Sequence, residues 1–343
     1  MELSHKQIES LKEMLAQPRL RIVILSHTNP DGDAVGSSLA WAEVLRARGH
    51  EVTCVVPNKY PYFLDWMPGI EEVVVFKTDT EGRAVQAIAE ADVLFCLDFN
   101  AVSRLEILSE TIQGNTTARR VLIDHHLQPD EGFDIVFSHP ESSSTCFLVY
   151  CLVEAMYGTG AITRRMGELL YVGMMTDTGN FAFSHLTPEL FRAVAVLLEK
   201  GISIPEIHNS VYNAYTEGRA RLFGYAINRK MALIEDGTVA YMSLLESEMR
   251  RFQFQQGDSE GFVNYALTIK KVKMSAMFLA HRKFIRISLR SRGDVDVNLF
   301  ARKYFNGGGH KNAAGGKSFL SMEETIDHYI RSVREFAEEG HLG

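Results

Sequence analysis

One imidazole and two carboxylates lie within seven residues, in the run His27-Thr28-Asn29-Pro30-Asp31-Gly32-Asp33. The run follows an apolar stretch, residues 21–25, and precedes a helical pattern, so we expect it where a strand meets a helix. Two like charges in a tight turn repel each other, and a cation between them removes that repulsion. The run therefore predicts one part of a divalent metal site.

Three further groups in the first half carry acidic or imidazole side chains at the end of a predicted element. They are Asp98 after the apolar run Ala91–Leu97, Asp124-His125-His126 after the run Arg120–Ile123, and Asp177 just past the predicted helix Thr163–Met175. Each group alone has a structural explanation, since a lone Asp usually caps a turn or helix and a histidine pair usually lies at the surface or in the core. Capping does not require all four groups at equivalent positions, so their conjunction favours metal binding.

Apolar runs alternate with amphipathic stretches throughout the first half. The predicted strands are Arg21–Leu25, Glu51–Val56, Val73–Phe76, Ala91–Leu97 and Arg120–Ile123, and the stretches between them include Ala34–Arg48 and Thr80–Glu90. This alternation is typical of a Rossmann-like α/β domain, in which helices cover a parallel sheet. The carboxyl ends of parallel strands line one edge, with a crevice where the strand order reverses, so we expect the candidate ligands to converge there.

The second half has a different pattern, and 343 residues are too many for one typical core. Its predicted strands are Val239–Leu245, Ala276–Ala280 and Phe284–Leu289, and its predicted helices are Val295–Tyr304 and Met322–Phe336. We expect a smaller α/β domain with a mixed sheet. The predicted division is a metal-binding domain at residues 1–201, a linker at 202–220 and a substrate-binding domain at 221–343, with the active-site cleft between the domains.

Charge is distributed unevenly along the chain. The net charge of −7 argues against a surface that binds nucleic acid everywhere. Between Tyr265 and Lys317, however, there are twelve Lys or Arg and only two acids, Asp294 and Asp296. This segment is either a solvated basic face or a surface for phosphates. It also contains the run Asn306-Gly307-Gly308-Gly309-His310, which is either a flexible turn or a backbone path that lets amides approach an anion.

The type of ligand narrows the choice of metal. Carboxylates with a minority of imidazoles, and without thiolate, suit manganese, cobalt or magnesium better than a structural zinc site. The candidate ligands are too many for one ion and suit two ions that share a carboxylate, either Asp98 or Asp177. The candidates are His27, Asp31, Asp33, Asp98, His125 and Asp177. Two ions about 3.5–4 Å apart activate a hydroxide and hold phosphorus for an in-line displacement.

In their order along the chain, these four groups resemble the motifs of the DHH phosphoesterases, and the Gly-Gly-Gly-His run resembles the signature of the DHH-associated C-terminal domain. Length and layout are most similar to the NrnA-type branch, the oligoribonuclease and pAp phosphatase enzymes. The resemblance implies two sets of metal ligands. One set is His27, Asp31 and Asp98, and the other is Asp33, Asp98, His125 and Asp177.

The resemblance also implies roles for residues that do not bind metal. Asp124 would orient a neighbouring histidine, His126 would contact the scissile phosphate and assist the leaving oxygen, and Asn29 is a further catalytic candidate. In the second domain a group of backbone amides and basic side chains would bind a substrate phosphate. That group is Gly307, Gly308, Gly309, His310, Arg286 and Arg290.

The implied activity is hydrolysis of short oligoribonucleotides, of the phosphate of pAp, or of linear dinucleotides such as pApA. Two divalent ions are the expected cofactors, with Mn²⁺ preferred over Mg²⁺ or Co²⁺. Two alternatives are an inorganic pyrophosphatase or exopolyphosphatase, and a non-catalytic nucleotide-binding or RNA-binding module. Members of this family are often dimers, so a homodimer is an expectation.

The sequence also bears on the location of the protein in the cell. Its four cysteines form no CxxC pair, and we expect buried free thiols of the kind found in a reducing cytosol. No apolar run approaches the ~20 residues that span a bilayer. The first 17 residues lack the basic start and apolar middle of a secretory signal. We therefore expect a cytoplasmic protein without membrane association.

Overall fold

The computed structural model describes residues 3–182 and 185–342. The chain divides into two compact units, Met1–Ala214 and Tyr215–Gly343. Residues 202–220, which the sequence analysis assigns to a linker, contain one helix, Ile204–Tyr212, and the start of another, Glu217–Tyr225. The domain boundaries drawn from the sequence stay a prediction. Among the described residues, every helix is too short or too polar to cross a membrane.

The first unit has a six-stranded sheet in which every neighbouring pair of strands is parallel. Its strands are β1 (Arg21–Leu25), β2 (Glu51–Val56), β3 (Val74–Val75), β4 (Val93–Leu97), β5 (Arg119–Asp124) and β6 (Ile135–Ser138). Its helices are α1 (His5–Leu15), α2 (Gly32–Arg46), α3 (Arg83–Glu90), α4 (Ser109–Gly114), α5 (Thr145–Tyr157), α6 (Arg164–Asp177), α7 (Pro188–Glu199) and α8 (Ile204–Tyr212). The predicted α/β class with a parallel sheet is confirmed.

The strand order of this sheet is β3-β2-β1-β4-β5-β6. Strands β1 and β4 are neighbours although the chain leaves β1 for β2, so the order reverses between them. A reversal of this kind opens a crevice at the carboxyl ends of the two strands. Strand β4 is buried along its whole length, which fits its near-continuous apolar sequence, Val93 to Leu97.

Helices of the first unit begin at side chains that accept hydrogen bonds from their first backbone amides. The side chain of Asp31 caps α2 by accepting from the amides of Asp33 and Ala34. Ser144 caps α5 by accepting from the amide of Phe147. Such caps replace the backbone partners that the first turn of a helix lacks. The first cap is itself a candidate metal ligand, and the second begins the helix whose first amides hold Asp33.

The second unit contains a mixed sheet, as the sequence predicts, and this sheet has six strands in the order β11-β12-β10-β9-β8-β7. Its strands are β7 (Ala232–Ile234), β8 (Val239–Leu244), β9 (Met274–His281), β10 (Phe284–Ser291), β11 (Gly308–His310) and β12 (Ala313–Ser318). Its helices are α9 (Glu217–Tyr225), α10 (Glu246–Arg251), α11 (Phe262–Tyr265), α12 (Val297–Phe305) and α13 (Met322–Glu338). Strands β8 and β9 are parallel, and the other neighbouring pairs are antiparallel.

The mixed sheet has a core on each face. Helices α12 and α13 cover one face with buried side chains such as Phe300 and Phe336, which pack against alternate residues of β9 and β10. On the other face, residues of α9 and α11, including Leu222 and Phe262, pack against β8 and β9. That second core does not include residues of β10, β11 or β12.

Candidate metal centre

The four groups of candidate ligands lie at the carboxyl ends of adjacent strands and at the end of one helix. His27 is two residues past β1, and Asp98 directly follows β4. His125 directly follows Asp124, the last residue of β5, and Asp177 is the last residue of α6 rather than a residue beyond it. The structure thus brings together side chains that are up to 150 residues apart, at the point where the strand order reverses.

His27, Asp31 and Asp98 form one candidate ligand group, in which ligand atoms lie within 4.8 Å of one another. The Nε2 atom of His27 is 3.3 Å from Oδ2 of Asp98. The other ring nitrogen, Nδ1, is 2.9 Å from the carbonyl oxygen of Thr28, so it carries the proton and leaves Nε2 to act as a ligand. Oδ1 of Asp31 is used in capping α2, but a carboxylate has a second oxygen.

Asp33, His125 and Asp177 form a second group of the same kind. Nε2 of His125 is 3.8 Å from Oδ2 of Asp33 and 3.4 Å from Oδ2 of Asp177. Its Nδ1 is 3.2 Å from the carbonyl oxygen of Ser142, which again leaves Nε2 to face the carboxylates. Asp33 and His125 are buried, and the side chain of Asp177 is 30% exposed. One side of the group therefore remains accessible to solvent.

The carboxylate of Asp98 belongs to the first group and also contacts the second. Its Oδ2 lies 3.3 Å from Nε2 of His27, and its Oδ1 lies 3.5 Å from Nε2 of His125. The backbone of Asp98 has a φ of 62°, in the left-handed region that non-glycine residues seldom adopt. Such strain costs on the order of 1–3 kcal/mol and is found mainly at functional sites. This backbone conformation turns one oxygen toward each imidazole, as a shared ligand requires.

The N-terminus of α5 holds two of the carboxylates. Asp33 accepts hydrogen bonds from the amides of Thr145 and Cys146 at 2.7 and 2.8 Å, and Asp98 accepts one from the hydroxyl of Thr145 at 3.0 Å. The sequence analysis missed this contribution. Its signal was the run Ser142-Ser143-Ser144-Thr145, because a cluster of Ser and Thr before an apolar helix marks a helix start.

Asp124 is fully buried and holds His126 by two hydrogen bonds. Nδ1 of His126 donates to Oδ1 of Asp124 at 2.7 Å, and the backbone amide of His126 donates to Oδ2 at 3.0 Å. The same Nδ1 is 3.9 Å from Oδ1 of Asp98. Burial and the charge of Arg104 lower the pKa of His126, more than the Asp124 carboxylate raises it. Asp124 thus fixes Nδ1 as a nitrogen that carries a proton.

Arg104 and Asn29 complete the surroundings of the candidate centre. The backbone carbonyl of Arg104 accepts from the amide of Thr28 at 2.9 Å, a contact that the sequence analysis did not foresee. Asn29 also adopts a left-handed backbone, with φ of 58°, and exchanges two hydrogen bonds with Asn58. These contacts fix the loop that carries His27 and Asp31.

The charges within this centre are only partly balanced by protein groups. Burial raises the pKa of Asp33, and the charges of Asp98 and Asp177 raise it further. Burial also raises the pKa of Asp98, but its contacts with His125 and His27 outweigh this and hold that pKa well below its usual value. Burial lowers the pKa of His125, whereas the charges of Asp177 and Asp98 raise it well above its usual value. Buried carboxylates that share a few imidazoles fit a site for divalent cations.

The predicted phosphate-binding arginines both lie in the second unit on β10. The guanidinium of Arg286 donates to the Ser259 hydroxyl at 3.3 Å, and its enclosed Nε has no acceptor among the described residues. Burial lowers the pKa of Arg286, and the charge of Glu260 opposes that shift. Arg290 donates to the carbonyl oxygen of Leu289. Both arginines are half-buried.

The glycine run includes strand β11, which begins at Gly308, and has partners within the second unit. The amide of Gly307 donates to the carbonyl of Ala301 at 3.1 Å, and the amide of Gly309 donates to Oδ1 of Asn298 at 2.9 Å. A side chain at Gly307 would collide with the backbone of Gly315, and Gly309 has a φ of 152°. Close packing against β12 therefore explains these glycines. Gly308 pairs with Gly315 and His310 with Ala313, and phosphate binding by this run stays a prediction.

Comparison with known families matches both units. The family described as the DHH family, N-terminal domain, matches residues 21–174, and the DHHA1 domain matches residues 236–339. The chain belongs to the DHH family. This membership supports a phosphoesterase, and therefore a hydrolase. The motifs on which the resemblance rests lie mainly within the two matched ranges.

Individual known proteins are similar over most of the length of this chain. The chain is 27% identical over 339 residues to the bifunctional oligoribonuclease and PAP phosphatase NrnA of Thermus thermophilus, covering 96% of this chain and 94% of that protein. It is 39% identical to an exopolyphosphatase-related protein from Bacteroides fragilis, whose crystal structure matches with a TM-score of 0.90 over 97% of both chains. RecJ from Thermus thermophilus, in complex with Mn²⁺, shares the fold at 13% identity, with a TM-score of 0.56 over 97% of this chain and 54% of RecJ.

Proposed function

We propose that the protein is a metal-dependent phosphoesterase that hydrolyses short oligoribonucleotides, the phosphate of pAp, or both, with linear dinucleotides such as pApA as further substrates. The observation that carries the proposal is the position of Asp98, whose two oxygens face His27 and His125 at 3.3 and 3.5 Å. A carboxylate held in this way suits two neighbouring cations. A binding module would not need such an arrangement.

Two divalent ions, when bound, supply a hydroxide nucleophile at neutral pH and positive charge against the phosphate oxygens. We assign His27, Asp31 and Asp98 to one ion, and Asp33, Asp98, His125 and Asp177 to the other. Carboxylate-rich ligands favour Mn²⁺, with Mg²⁺ and Co²⁺ as alternatives. The four aspartates formally cancel the charge of two divalent ions, so attraction for a phosphate must come from other residues.

His126 is the residue that we assign to proton transfer. Its Nδ1 donates to Asp124 at 2.7 Å, so Nε2 must carry a second proton to contact the scissile phosphate and to protonate the leaving oxygen, and the Asp124 carboxylate favours that doubly protonated ring. We retain Asn29 as a candidate that positions substrate, although its side-chain oxygen accepts from Asn58 at 3.1 Å. Both residues lie on loops that follow a strand of the parallel sheet.

The second unit would bind the remainder of the substrate. Arg286 supports this assignment best, because its enclosed Nε has no acceptor among the described residues and a phosphate oxygen would supply one. Arg290 and His310 are the other cationic candidates. The amides of Gly307 and Gly309 already have acceptors within the unit, so we give these glycines a smaller share of phosphate binding.

A second candidate function is hydrolysis of pyrophosphate or polyphosphate. It is favoured by the 39% identity to the Bacteroides fragilis protein, which is described as exopolyphosphatase-related. It shares the metal chemistry of the first proposal and differs in the substrate. The 27% identity to the NrnA protein of Thermus thermophilus, over 96% of this chain and 94% of that protein, favours a nucleotide substrate.

A substrate panel distinguishes these candidates. Purified protein with Mn²⁺ is supplied with pAp, pApA, short RNA, short DNA, pyrophosphate and polyphosphate, and released phosphate and nucleotides are quantified. We expect turnover of pAp or the short RNAs and its loss in the Asp98→Asn variant. Asp92→Asn is the matched control, since Asp92 lies near the opposite end of β4, is half-exposed and pairs with Arg21. Turnover of polyphosphate alone, or full activity of Asp98→Asn, would contradict the proposal.

We also propose a cytoplasmic location, supported by the four free cysteines, of which Cys54, Cys96 and Cys146 are buried. Burial raises the pKa of both Cys54 and Cys96 to about 12, so neither thiol is reactive. A homodimer stays a prediction that size-exclusion chromatography with light scattering would test.

A further inference from the structure

One face of strand β10 is basic although its other face is core. Ile285, Ile287 and Leu289 are buried against α12 and α13, while Arg286, Ser288 and Arg290 alternate with them and are half-exposed. This period of two is typical of a strand with one buried and one accessible face. The accessible face therefore carries Arg286 and Arg290, with the small side chain of Ser288 between them.

The neighbouring strand β12 adds one basic side chain and small residues to this face. The antiparallel register pairs Arg286 with Lys317, Ser288 with Gly315, and Arg290 with Ala313. Residues directly opposite each other in such a pair lie on the same face of the sheet. Glycine and alanine add little height between the cations, so a chain molecule could lie along the strands.

The two acids among residues 265–317 both have partners outside that face. Asp294 pairs with Lys311 at 2.8 Å, and Asp296 caps α12 by accepting from the amide of Leu299. The charge of Glu260 also acts on Arg286, so the face with Arg286, Arg290 and Lys317 carries more cations than acids among the described residues. An anionic strand would be attracted along its length.

The face ends at the turn between β9 and β10 in a cluster of aromatic and basic side chains. The rings of His281 and Phe284 stack with centroids 5.0 Å apart, and Nζ of Lys317 is 5.1 Å from the centre of the Phe284 ring. Phe319 follows the last residue of β12 and is 76% exposed, at the level of Phe284 if the register of the pair is continued. We call this cluster the hairpin-tip surface and define it by His281, Arg282, Lys283, Phe284, Lys317 and Phe319.

The hairpin-tip surface borders a shallow cavity of about 220 Å³. The cavity is lined by apolar side chains, Met249 and Phe254, and by polar ones that include His281 and Arg282. Its one acid, Glu246, pairs with Arg250 at 3.2 Å. A planar aromatic group with a nearby negative charge would find both stacking partners and cations there.

We infer that the hairpin-tip surface binds the distal nucleotides of a single-stranded RNA whose first phosphate is held near Arg290. This inference rests on the proposed function, because it assigns the far end of the same substrate. From Arg290 to Phe284 the strand advances six residues, or about 20 Å. A mononucleotide is too short to reach across that distance, whereas a strand of several nucleotides does.

Exposed aromatic rings and unpaired bases associate by stacking that does not depend on sequence. Phe319 supplies the most exposed ring, and the stacked pair of His281 and Phe284 supplies a rigid neighbour. Arg282 and Lys283 are exposed at the turn and supply charge for phosphates. The surface therefore selects for length rather than for base identity.

The test compares a long and a short substrate. We expect the variant Arg282→Ala/Lys283→Ala/Phe319→Ala to increase the ratio of KM for pentaadenylate to KM for diadenylate by about tenfold, as the loss of one stacked base predicts. The matched control is Lys270→Ala/Lys271→Ala, because these two exposed lysines precede the opposite end of β9. An unchanged ratio in the triple variant, or an equal increase in the control, would overturn the inference.

A binding measurement separates this inference from the proposed function. Fluorescence anisotropy of labelled pentaadenylate is followed in EDTA, where no turnover occurs. We expect weaker binding by the triple variant than by the control. We also expect the slope of log K against log salt concentration to be smaller in magnitude by about 1.4, the value for two phosphate contacts of a single strand. Equal binding by both variants overturns the inference. Absence of turnover of both short RNA and pAp by the unmodified protein with Mn²⁺ would instead overturn the proposed function.

Discussion

The hydroxyl of Thr145 donates a hydrogen bond to Oδ1 of Asp98 over 3.0 Å, and both residues are buried. Thr145 is the first residue of α5, and its backbone amide donates to Asp33 at 2.7 Å. One residue therefore orients two carboxylates that come from different loops. Groups that hold metal ligands in this way set affinity without touching the ion.

Replacing Thr145 by Val should weaken Mn²⁺ binding by roughly 10–100-fold, because Asp98 loses the donor that fixes its orientation. Valine keeps the shape of the side chain, so the fold is retained. Calorimetric titration of Mn²⁺ measures the effect, and Thr145→Ser, which keeps the hydroxyl, is the control. Equal affinity in the Val and Ser variants would show that the hydrogen bond does not position the carboxylate.

Removal of divalent metal should lower the thermal stability of the protein. Asp98 and Asp177 are close enough to Asp33 that their charges raise its pKa. Cations bound among these three carboxylates therefore stabilise the folded state. At a free Mn²⁺ concentration of 100 times Kd, the gain is about 2.7 kcal/mol. For a unit of this size that corresponds to an increase in Tm of about 5–10 °C.

Differential scanning calorimetry in EDTA and in Mn²⁺ measures this shift in Tm. The Asp98→Asn variant should show a smaller increase, since it removes the ligand that we assign to both ions. Identical transitions in Mn²⁺ and in EDTA would count against metal binding at this centre.

Replacing Asp124 by Asn should reduce kcat by roughly 10²–10⁴-fold while Mn²⁺ still binds. The amide of Asn keeps the size of the side chain but can present a donor to Nδ1 of His126, which then no longer holds its proton on the correct nitrogen. Steady-state kinetics and Mn²⁺ titration together test this. Wild-type kcat in Asp124→Asn would exclude a catalytic role for the pair, and loss of Mn²⁺ binding would indicate a role in assembling the centre.

The sequence predicted the parts of the fold that local patterns encode. Val93 to Leu97 form a buried strand because a continuous apolar run satisfies both faces of a central parallel strand. His27 and Asp98 could be predicted as neighbours because both follow such strands. Their relative orientation could not, since it depends on the left-handed backbone of Asp98 and on Thr145, which is 47 residues away.

Strand β12 shows why other elements were missed. Its sequence, Ala313 to Ser318, contains two glycines and two alanines, which are residues depleted in strands. It is a strand because β10 pairs with it along six residues, from Ile285–Ser318 to Arg290–Ala313. Tertiary pairing, rather than local propensity, therefore determines β12. Helix α8 was missed for a different reason, because only Ile207 and Val211 of its nine residues are buried.

Replacing Gly173 by Ala should destabilise the protein and weaken metal binding together. A methyl group at this position of α6 would collide first with Sγ of Cys146, and it would lie 2.5 Å from Oδ1 of Asp33. Asp33 cannot move away easily, because the amides of Thr145 and Cys146 hold both of its oxygens. We expect a loss of about 1–3 kcal/mol in the free energy of unfolding, measured by urea denaturation.

Gly224→Ala is the matched control for Gly173→Ala. Gly224 is also helical, but a methyl group there meets no heavy atom within 4 Å, so we expect no loss of stability and a gain of up to about 1 kcal/mol. Mn²⁺ titration of both variants completes the comparison, because only Gly173 contacts a candidate ligand. If Gly173→Ala is destabilised but binds Mn²⁺ normally, α6 supports the fold without setting the position of Asp33. If it is as stable as Gly224→Ala, the packing of α6 against Asp33 is looser than the distances imply.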